Sequence, residues 1–306
     1  MTRPAAPGTK ASVAIIGAGR LGQALALTLQ SCGHPIVALV AQSRPKAEKV
    51  ARLLGDAKGP RKLAASQLAE LPLADLIVIA TPDDAIAETA RKLGALFRGD
   101  GRRTALHTSG ALSSEALASM AEVGFQTGSL HPLVSISEPV SGAQALRGAF
   151  FCIEGTTKAK GLARSIVRDL DGYSFTIKPE KKALYHAAAV MASPHLTTLF
   201  DLATELLAAC GLSRSDAQKV FLPLLESTVN NLKTASSQKA LTGTFARGDV
   251  ATVRRHLEAL SGKEFAGARE VYKLLGLHAL AMAERNGLDP KVVKQIRREV
   301  RVKSEK

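Results

Sequence analysis

The chain has 306 residues, of which 46% are hydrophobic, which is enough for two domains of ordinary size and a substantial core. Only 4% of residues are aromatic and tryptophan is absent, so that core is expected to consist of Ala, Leu and Val, a composition suited to helices packed on a parallel sheet. A formal charge of +14 invites a nucleic-acid reading, but the excess gathers in the last segment from Lys291, aromatics for base stacking are few, and no nucleic-acid module is visible. That segment is expected to be a solvated basic tail. Cys32, Cys152 and Cys210 have neither metal spacing nor the makings of a disulfide framework, and read as buried small residues in a reducing compartment. With no signal-peptide core and no apolar run of membrane-spanning length, a soluble cytoplasmic protein with no metal and no nucleic-acid or membrane partner is expected.

In chain order, the first predicted element is a short β-branched strand over residues 12–16, which runs directly into Gly17-Ala-Gly-Arg-Leu-Gly22. This is a Gly-x-Gly-x-x-Gly turn. Gly17 suits the tight turn, Gly19 the approach of a pyrophosphate to the backbone, and Gly22 the close packing of helix on strand. A helix follows, with Leu21, Leu25 and Leu29 on one face, then a stop at Gly33 and a second strand, Ile36–Val40. Strand, glycine turn, helix and strand within about thirty residues form a βαβ unit. The helix N-terminus then attracts phosphate through its free N–H groups and its dipole.

An NAD site expects Asp or Glu at the end of the second strand, to hold the ribose 2′-hydroxyl. The chain offers Ala41-Gln-Ser-Arg44 there. Ser43 and Arg44 can donate hydrogen bonds and positive charge to a 2′-phosphate, so NADP(H) is preferred over NAD(H). The alternative for Arg44 is a solvated residue at a helix start. Arg20, inside the turn, adds charge near the phosphates or lies over the adenine.

Asp75–Ala80 reads as a strand buried on both faces, with Thr81-Pro-Asp-Asp84 as loop and cap of a helix over 85–96. A strand over 103–107 ends in His107-Thr-Ser-Gly110, and Ser113 or Ser114 is expected to cap the next helix. Ligands in such sheets bind at the carboxyl ends of strands. Thr81, Pro82, Asp83, His107, Ser109 and Gly110 hold such positions, and with Gly17–Gly22, Ser43 and Arg44 they make up the expected cofactor site. Strands over 125–133 and 149–153, a helix over 159–170 and a strand over 173–177 complete a first domain, 1–178. Beyond Pro179 the periodicity is helical, over about 181–210, 213–235, 250–261, 265–286 and 290–302. The expected fold is α/β, an N-terminal doubly wound, mainly parallel Rossmann sheet, followed by an all-α C-terminal domain, 179–306.

Beyond the glycine turn, the segments Ala80-Thr-Pro-Asp-Asp-Ala-Ile86, His107-Thr-Ser-Gly110, Gly128-Ser-Leu-His-Pro-Leu133, Tyr185-His-Ala-Ala-Ala-Val190 and Ala240-Leu-Thr-Gly-Thr-Phe-Ala-Arg-Gly-Asp249 give the chain a wider likeness. It resembles Rossmann-like oxidoreductases with a C-terminal helical domain of unknown function. That group is related to ketopantoate reductase, pyrroline-carboxylate reductase, prephenate dehydrogenase and the deazaflavin-dependent NADP reductases. The resemblance implies NADP as cofactor and a helical domain that helps to form a homodimer. The chain departs from the group's pattern at Thr244, where members usually carry Pro, and at Pro194, where they carry Asn. A proline at 194 removes a helical hydrogen bond and should bend its helix.

Hydride transfer is the cofactor's chemistry, so the chain must supply orientation and a proton donor or acceptor. Lys182, Tyr185 and His186, at i, i+3 and i+4, project to one side of a helix. In the hydroxyacid dehydrogenase relatives a Lys-x-x-x-Asn occupies the similar place, so His186 stands where Asn is usual. His131 sits in a His-Pro dipeptide of the kind that lies near the substrate in prephenate dehydrogenases. Either His107 or His131 can instead be a turn residue bonded to backbone. Arg247, Asp249 and Asn230 are candidates for binding the substrate, Asp249 with the alternative of capping the next helix. The expected function is NADP-dependent hydride transfer involving a small anionic oxo, hydroxy or imino compound. The alternative is a non-catalytic NADP-binding sensor or interaction protein.

Overall fold

The structure is a computed structural model that describes residues 10–55, 59–98 and 101–300. The β-branched run Val13–Ile16 forms β1 with all four residues buried, because its alternate side chains enter two different cores. Val13 and Ile15 pack with α1 (Arg20–Ser31), while Ala14 and Ile16 face the opposite layer. Next come β2 (Ile36–Ala41), α2 (Arg44–Leu53), β3 (Arg61–Ala64), β4 (Leu76–Ile79) and α3 (Asp83–Leu96). Ile86, Ala90 and Leu93 of α3 cover the second face. The chain continues through β5 (Thr104–His107), α4 (Ala118–Ala121), β6 (Gln126–Pro132), α5 (Pro139–Ala145), β7 (Phe150–Gly155), α6 (Thr157–Asp169) and β8 (Tyr173–Thr176).

These strands form one sheet in the order β3-β2-β1-β4-β5-β6-β7-β8. Pairing is parallel from β3 through β6, reverses between β6 and β7, and is parallel again between β7 and β8. With helices on both faces, the sheet is the expected doubly wound, mainly parallel one. β3 was not expected: it is an edge strand, Arg-Lys-Leu-Ala, with Leu63 its only buried residue, so it carries no apolar run to read. Nor was α5. The expected serine cap after β5 is also different, since neither Ser113 nor Ser114 caps a helix with its side chain. The Ser114 N–H and hydroxyl instead donate to the Glu154 carboxylate, each at 2.7 Å.

The chain divides into two compact units, one ending at Ser193 and one starting at Pro194. Residues 182–192, expected in the helical domain, therefore group with the sheet. The continuous helix expected over 181–210 is two helices, α7 (Lys182–Ala192) and α8 (Pro194–Ala209). Ser193 between them has φ −129° and ψ −74°, as a residue pushed out of helical geometry by the proline after it.

The second unit continues with α9 (Arg214–Thr234), α10 (Ser237–Ala240), α11 (Thr244–Arg247), α12 (Val250–Ala259), α13 (Ala266–Arg285) and α14 (Pro290–Glu299). Its buried cluster is small: Val253, Leu257, Leu280, Val293, Ile296 and Val300. The basic segment from Lys291 is thus no tail, because α14 places Val293 and Ile296 in that cluster while Lys291, Lys294, Arg297 and Arg298 stay exposed; residues 301 and 302 of the expected helix lie outside the described residues. α9 buries Ala217 alone and exposes Val220, Leu222, Leu224 and Leu232. The cysteines are free thiols, but only Cys152 is buried as expected. Cys32 is half-buried, and Cys210, just after the end of α8, is exposed. Among the described residues no helix is long and apolar enough to cross a membrane.

Candidate functional site

The first part of the site is the turn between β1 and α1. Gly17 has φ +109°, and a Cβ there would fall 2.4 Å from the Ala80 carbonyl oxygen; a Cβ on Gly22 would fall 1.9 Å from the Gly17 oxygen. Both must be glycine for reasons internal to the fold. Gly19 differs. Its φ of −74° is open to any residue, and an added Cβ would meet no protein atom within 4 Å. Among the described residues nothing requires Gly19 to be small, and its backbone faces open space of the kind a pyrophosphate approaching it needs.

Gly17, Ala18 and Gly19 form the floor of a cleft of about 540 Å³, walled by the ends of β2 and β4 and by one side of α3. The Thr81 hydroxyl, on the lining, is buried and among the described residues has no hydrogen-bond partner. An orphaned hydroxyl, an open glycine cradle and a helix N-terminus together fit a dinucleotide. Pro82 also lines the cleft; Arg20 and Leu21 are the first residues of α1. Ser43 and Arg44 are not on its wall. The Arg44 Nε donates to Glu48 Oε1 at 3.1 Å across one turn of α2. The cleft's own cations are Lys46 and Lys92, neither of which the motif pattern singled out. The accessible signal was Lys46 as a second basic residue shortly after β2.

The second part of the site is built from strand alternation. The register places Ile79, His107, Ser129 and Glu154 opposite one another across β4 to β7, and His131, Cys152 and Phe175 likewise across β6 to β8. These positions share the face that holds the apolar core under α3 and turn it polar at β5 to β7. Onto this polar stretch α7 brings Lys182, Tyr185 and His186.

Lys182 is the only buried residue of α7, at 1% exposure, while Leu184 on the same helix is 68% exposed. Its Nζ donates to the Ser109 carbonyl oxygen at 3.0 Å and to the Ser129 hydroxyl at 3.2 Å. Burial lowers its pKa. His131 Nδ1 and the Tyr185 hydroxyl are hydrogen-bonded at 2.7 Å, and the His131 ring meets both Tyr185 and His186 edge to face. Desolvation and the Lys182 charge hold His131 down to about 4, and burial raises Tyr185. At neutral pH His131 is therefore uncharged and Tyr185 keeps its proton. A Cβ on Gly110 would lie 2.4 Å from the His186 ring and 2.8 Å from His131 Nε2, so only glycine lets both rings approach this turn. The four side chains expected to carry the chemistry are thus together. Sequence reading missed Ser129, although its i, i+2 spacing from His131 on one strand was a usable signal.

Other expected site residues have structural duties. His107 is fully buried; its Nε2–H donates to the Ser113 carbonyl at 2.9 Å and its Nδ1 accepts from the Ser109 N–H at 3.2 Å. Neither ring nitrogen is left for a cofactor, and burial holds the group down to about 4. Ser109 is similarly committed: its hydroxyl donates to Asp83 Oδ2 at 2.8 Å and accepts from the N–H groups of Ala111 and Leu112. Asp83 and Ser109 thereby join the start of α3 to the turn that holds Lys182. In the helical unit, both Asp249 oxygens are taken by Thr252, so Asp249 is the cap of α12. Arg247 ends α11 on the surface, and the exposed Asn230 accepts from Lys233 within α9.

The chain matches a Rossmann-like domain model over residues 3–132 and a domain of unknown function, DUF2520, over residues 149–279. The second match starts at β7, so it includes α7 and its lysine. No curated protein matches the chain. Solved structures of similar fold include a Bacteroides fragilis protein named provisionally as an NADP oxidoreductase, 23% identical, covering 89% of this chain and 99% of its own, with a TM-score of 0.72. A Thermotoga maritima protein is 24% identical over 94% of this chain and 98% of its own, TM-score 0.62. A reductive aminase from Aspergillus terreus, in complex with NADPH and ethyl levulinate, is 18% identical over 94% of this chain and 99% of its own, TM-score 0.64.

Proposed function

We propose that this chain, which joins a Rossmann-like domain to a DUF2520 domain, is an NADP-dependent oxidoreductase acting on a small anionic oxo, hydroxy or imino compound. The observation that carries the reading is Lys182, a lysine buried to 1% exposure whose hydrogen-bond acceptors are a carbonyl and a hydroxyl. The carboxylates that act on it, Glu154 and Asp83, make no direct ion pair with it, and burying an ammonium without one costs free energy. A fold retains such a group where a ligand brings the negative charge or where the proton is used. Bound NADP(H) supplies or accepts the hydride. Lys182 hands a proton to, or takes one from, the substrate oxygen or nitrogen, with a pKa that burial brings toward the working range. Neutral His131 and protonated Tyr185 orient the substrate by hydrogen bonds. The names of the Bacteroides and Aspergillus proteins agree with this reading.

Titration with NADPH, followed by nicotinamide fluorescence, and a screen of small oxo and imino acids for NADPH oxidation test the proposal. Binding with turnover on at least one such acid is expected, and Lys182→Met should lower kcat about 100-fold or more with little change in NADPH affinity. Failure to bind NADPH would remove the premise, and binding without turnover across the screen would favour a sensor. We infer further that the helical unit pairs with a second copy, since among the described residues Leu222, Leu224 and Leu232 of α9 stay exposed. A dimer by sedimentation, lost in Leu224→Asp, is the expected result; a monomeric parent protein would refute it.

A further inference from the structure

We propose that Lys46, and not Arg44, reads the 2′-phosphate that distinguishes NADP(H) from NAD(H). The proposal rests on the cofactor reading above and adds to it the side chain that makes the selection. β2 delivers its carboxyl end to the cleft at Ala41, and from the segment that follows, Gln42 and Lys46 line the wall. Arg44 points its guanidinium at Glu48, with Nε to Oε1 at 3.1 Å. Such an exposed pair is weak and can open, so the decisive fact is the balance of charge. A phosphate set against Arg44 also meets the Glu48 carboxylate, and much of the attraction cancels.

Among the described residues Lys46 has no such partner. Its Nζ donates to the neutral Gln42 Oε1 at 3.2 Å, which tethers the ammonium at the end of β2 without neutralising it. Lys92, the other cation on the cleft wall, is paired with Glu88 at 3.4 Å. Among the described residues that line the cleft, Lys46 is therefore the cation free of an ion pair. It also stands in the first turn of α2, whose N-cap Ser43 makes no side-chain capping bond. The amides of that turn add to the positive potential around it. A compact ammonium binds phosphate as a point charge and needs no bidentate geometry.

The test is the pair of dissociation constants for NADPH and NADH, read by nicotinamide fluorescence on the full chain and its variants. Lys46→Ala should weaken NADPH about tenfold or more while NADH stays within about threefold, because one charge-assisted contact to phosphate is lost. Lys46→Arg should retain the preference, and Arg44→Ala should change NADPH by less than about threefold. Both positions are exposed, so thermal unfolding should confirm intact folds. An unchanged NADPH to NADH ratio in Lys46→Ala, or a tenfold loss confined to Arg44→Ala, would overturn the assignment. A parent protein that binds neither nucleotide would instead overturn the cofactor reading, a separate result.

Discussion

Around the glycine turn the groups that face the cleft are largely backbone, and the side chains that matter are absent ones. At the ends of β5 and β6 the reverse holds: Lys182, His131, Tyr185 and His186 are large, polar and mostly withdrawn from water. The cleft is shaped by what a glycine permits, and the cost of that shape is small. The cluster keeps an ammonium in a desolvated layer, a cost the fold bears continuously, and holds His131 and His107 neutral until the pH falls toward about 4. The first region is therefore built to receive a ligand, the second to hold a desolvated ammonium among neutral hydrogen-bonding groups.

The largest effect that would break this comparison is at the glycines. Gly17→Ala should lower the unfolding free energy by more than about 2 kcal/mol, measured by chemical denaturation, because positive φ and the Ala80 oxygen at 2.4 Å oppose a Cβ. Gly19→Ala should leave stability within about 1 kcal/mol and yet weaken NADPH about tenfold or more, since its Cβ enters space that only a ligand would fill. If both variants lose stability alike, the distinction between folding glycines and a binding glycine fails.

Of comparable size is the acid response of the cluster. His107 and His131 are held down to about 4 in the folded state against an ordinary value of 6.5. The unfolded chain thus binds more protons between these values, and stability rises with pH across that window. The contribution is complete above about 6.5 and is lost as pH falls to about 4, at about 3 kcal/mol for each histidine. Denaturation curves between pH 7 and about 4 should show this loss, and His131→Gln should remove roughly half of it. An identical acid limb in that variant would place His131 in a more solvated setting than the structure gives it. The smallest effect is that of Tyr185→Phe, which removes the 2.7 Å bond to His131. It should cost about 1 kcal/mol in stability, again by denaturation, and shift the acid limb.

Legibility in the sequence follows the same division. The glycine turn, the break at Pro194 and the i, i+3, i+4 face of α7 depend on local backbone rules, and each could be read from a few adjacent letters. The burial of Lys182 could not, because it depends on β6 reversing into β7 and on Ser109, in the turn after β5, converging with Ser129 on β6. His107 and Asp249 invited functional readings because their residue types suit ligands. Their partners are backbone or hydroxyl groups within six residues, Ser113 and Thr252, and such local bonds win without any ligand. Arg44 and Lys46 are two positions apart on one helix, and the i, i+4 spacing of Glu48 from Arg44 and of Gln42 from Lys46 was a usable signal of which charge is already answered.

The most direct measurement is a crystal structure of the protein with NADP bound. The pyrophosphate is expected over Gly19, and nicotinamide C4 should lie beside Lys182, His131 and Tyr185, leaving room for a small anion between the ring and the Lys182 ammonium. A nicotinamide ring held away from that cluster, or a dinucleotide bound elsewhere than in the glycine cleft, would contradict the proposed chemistry.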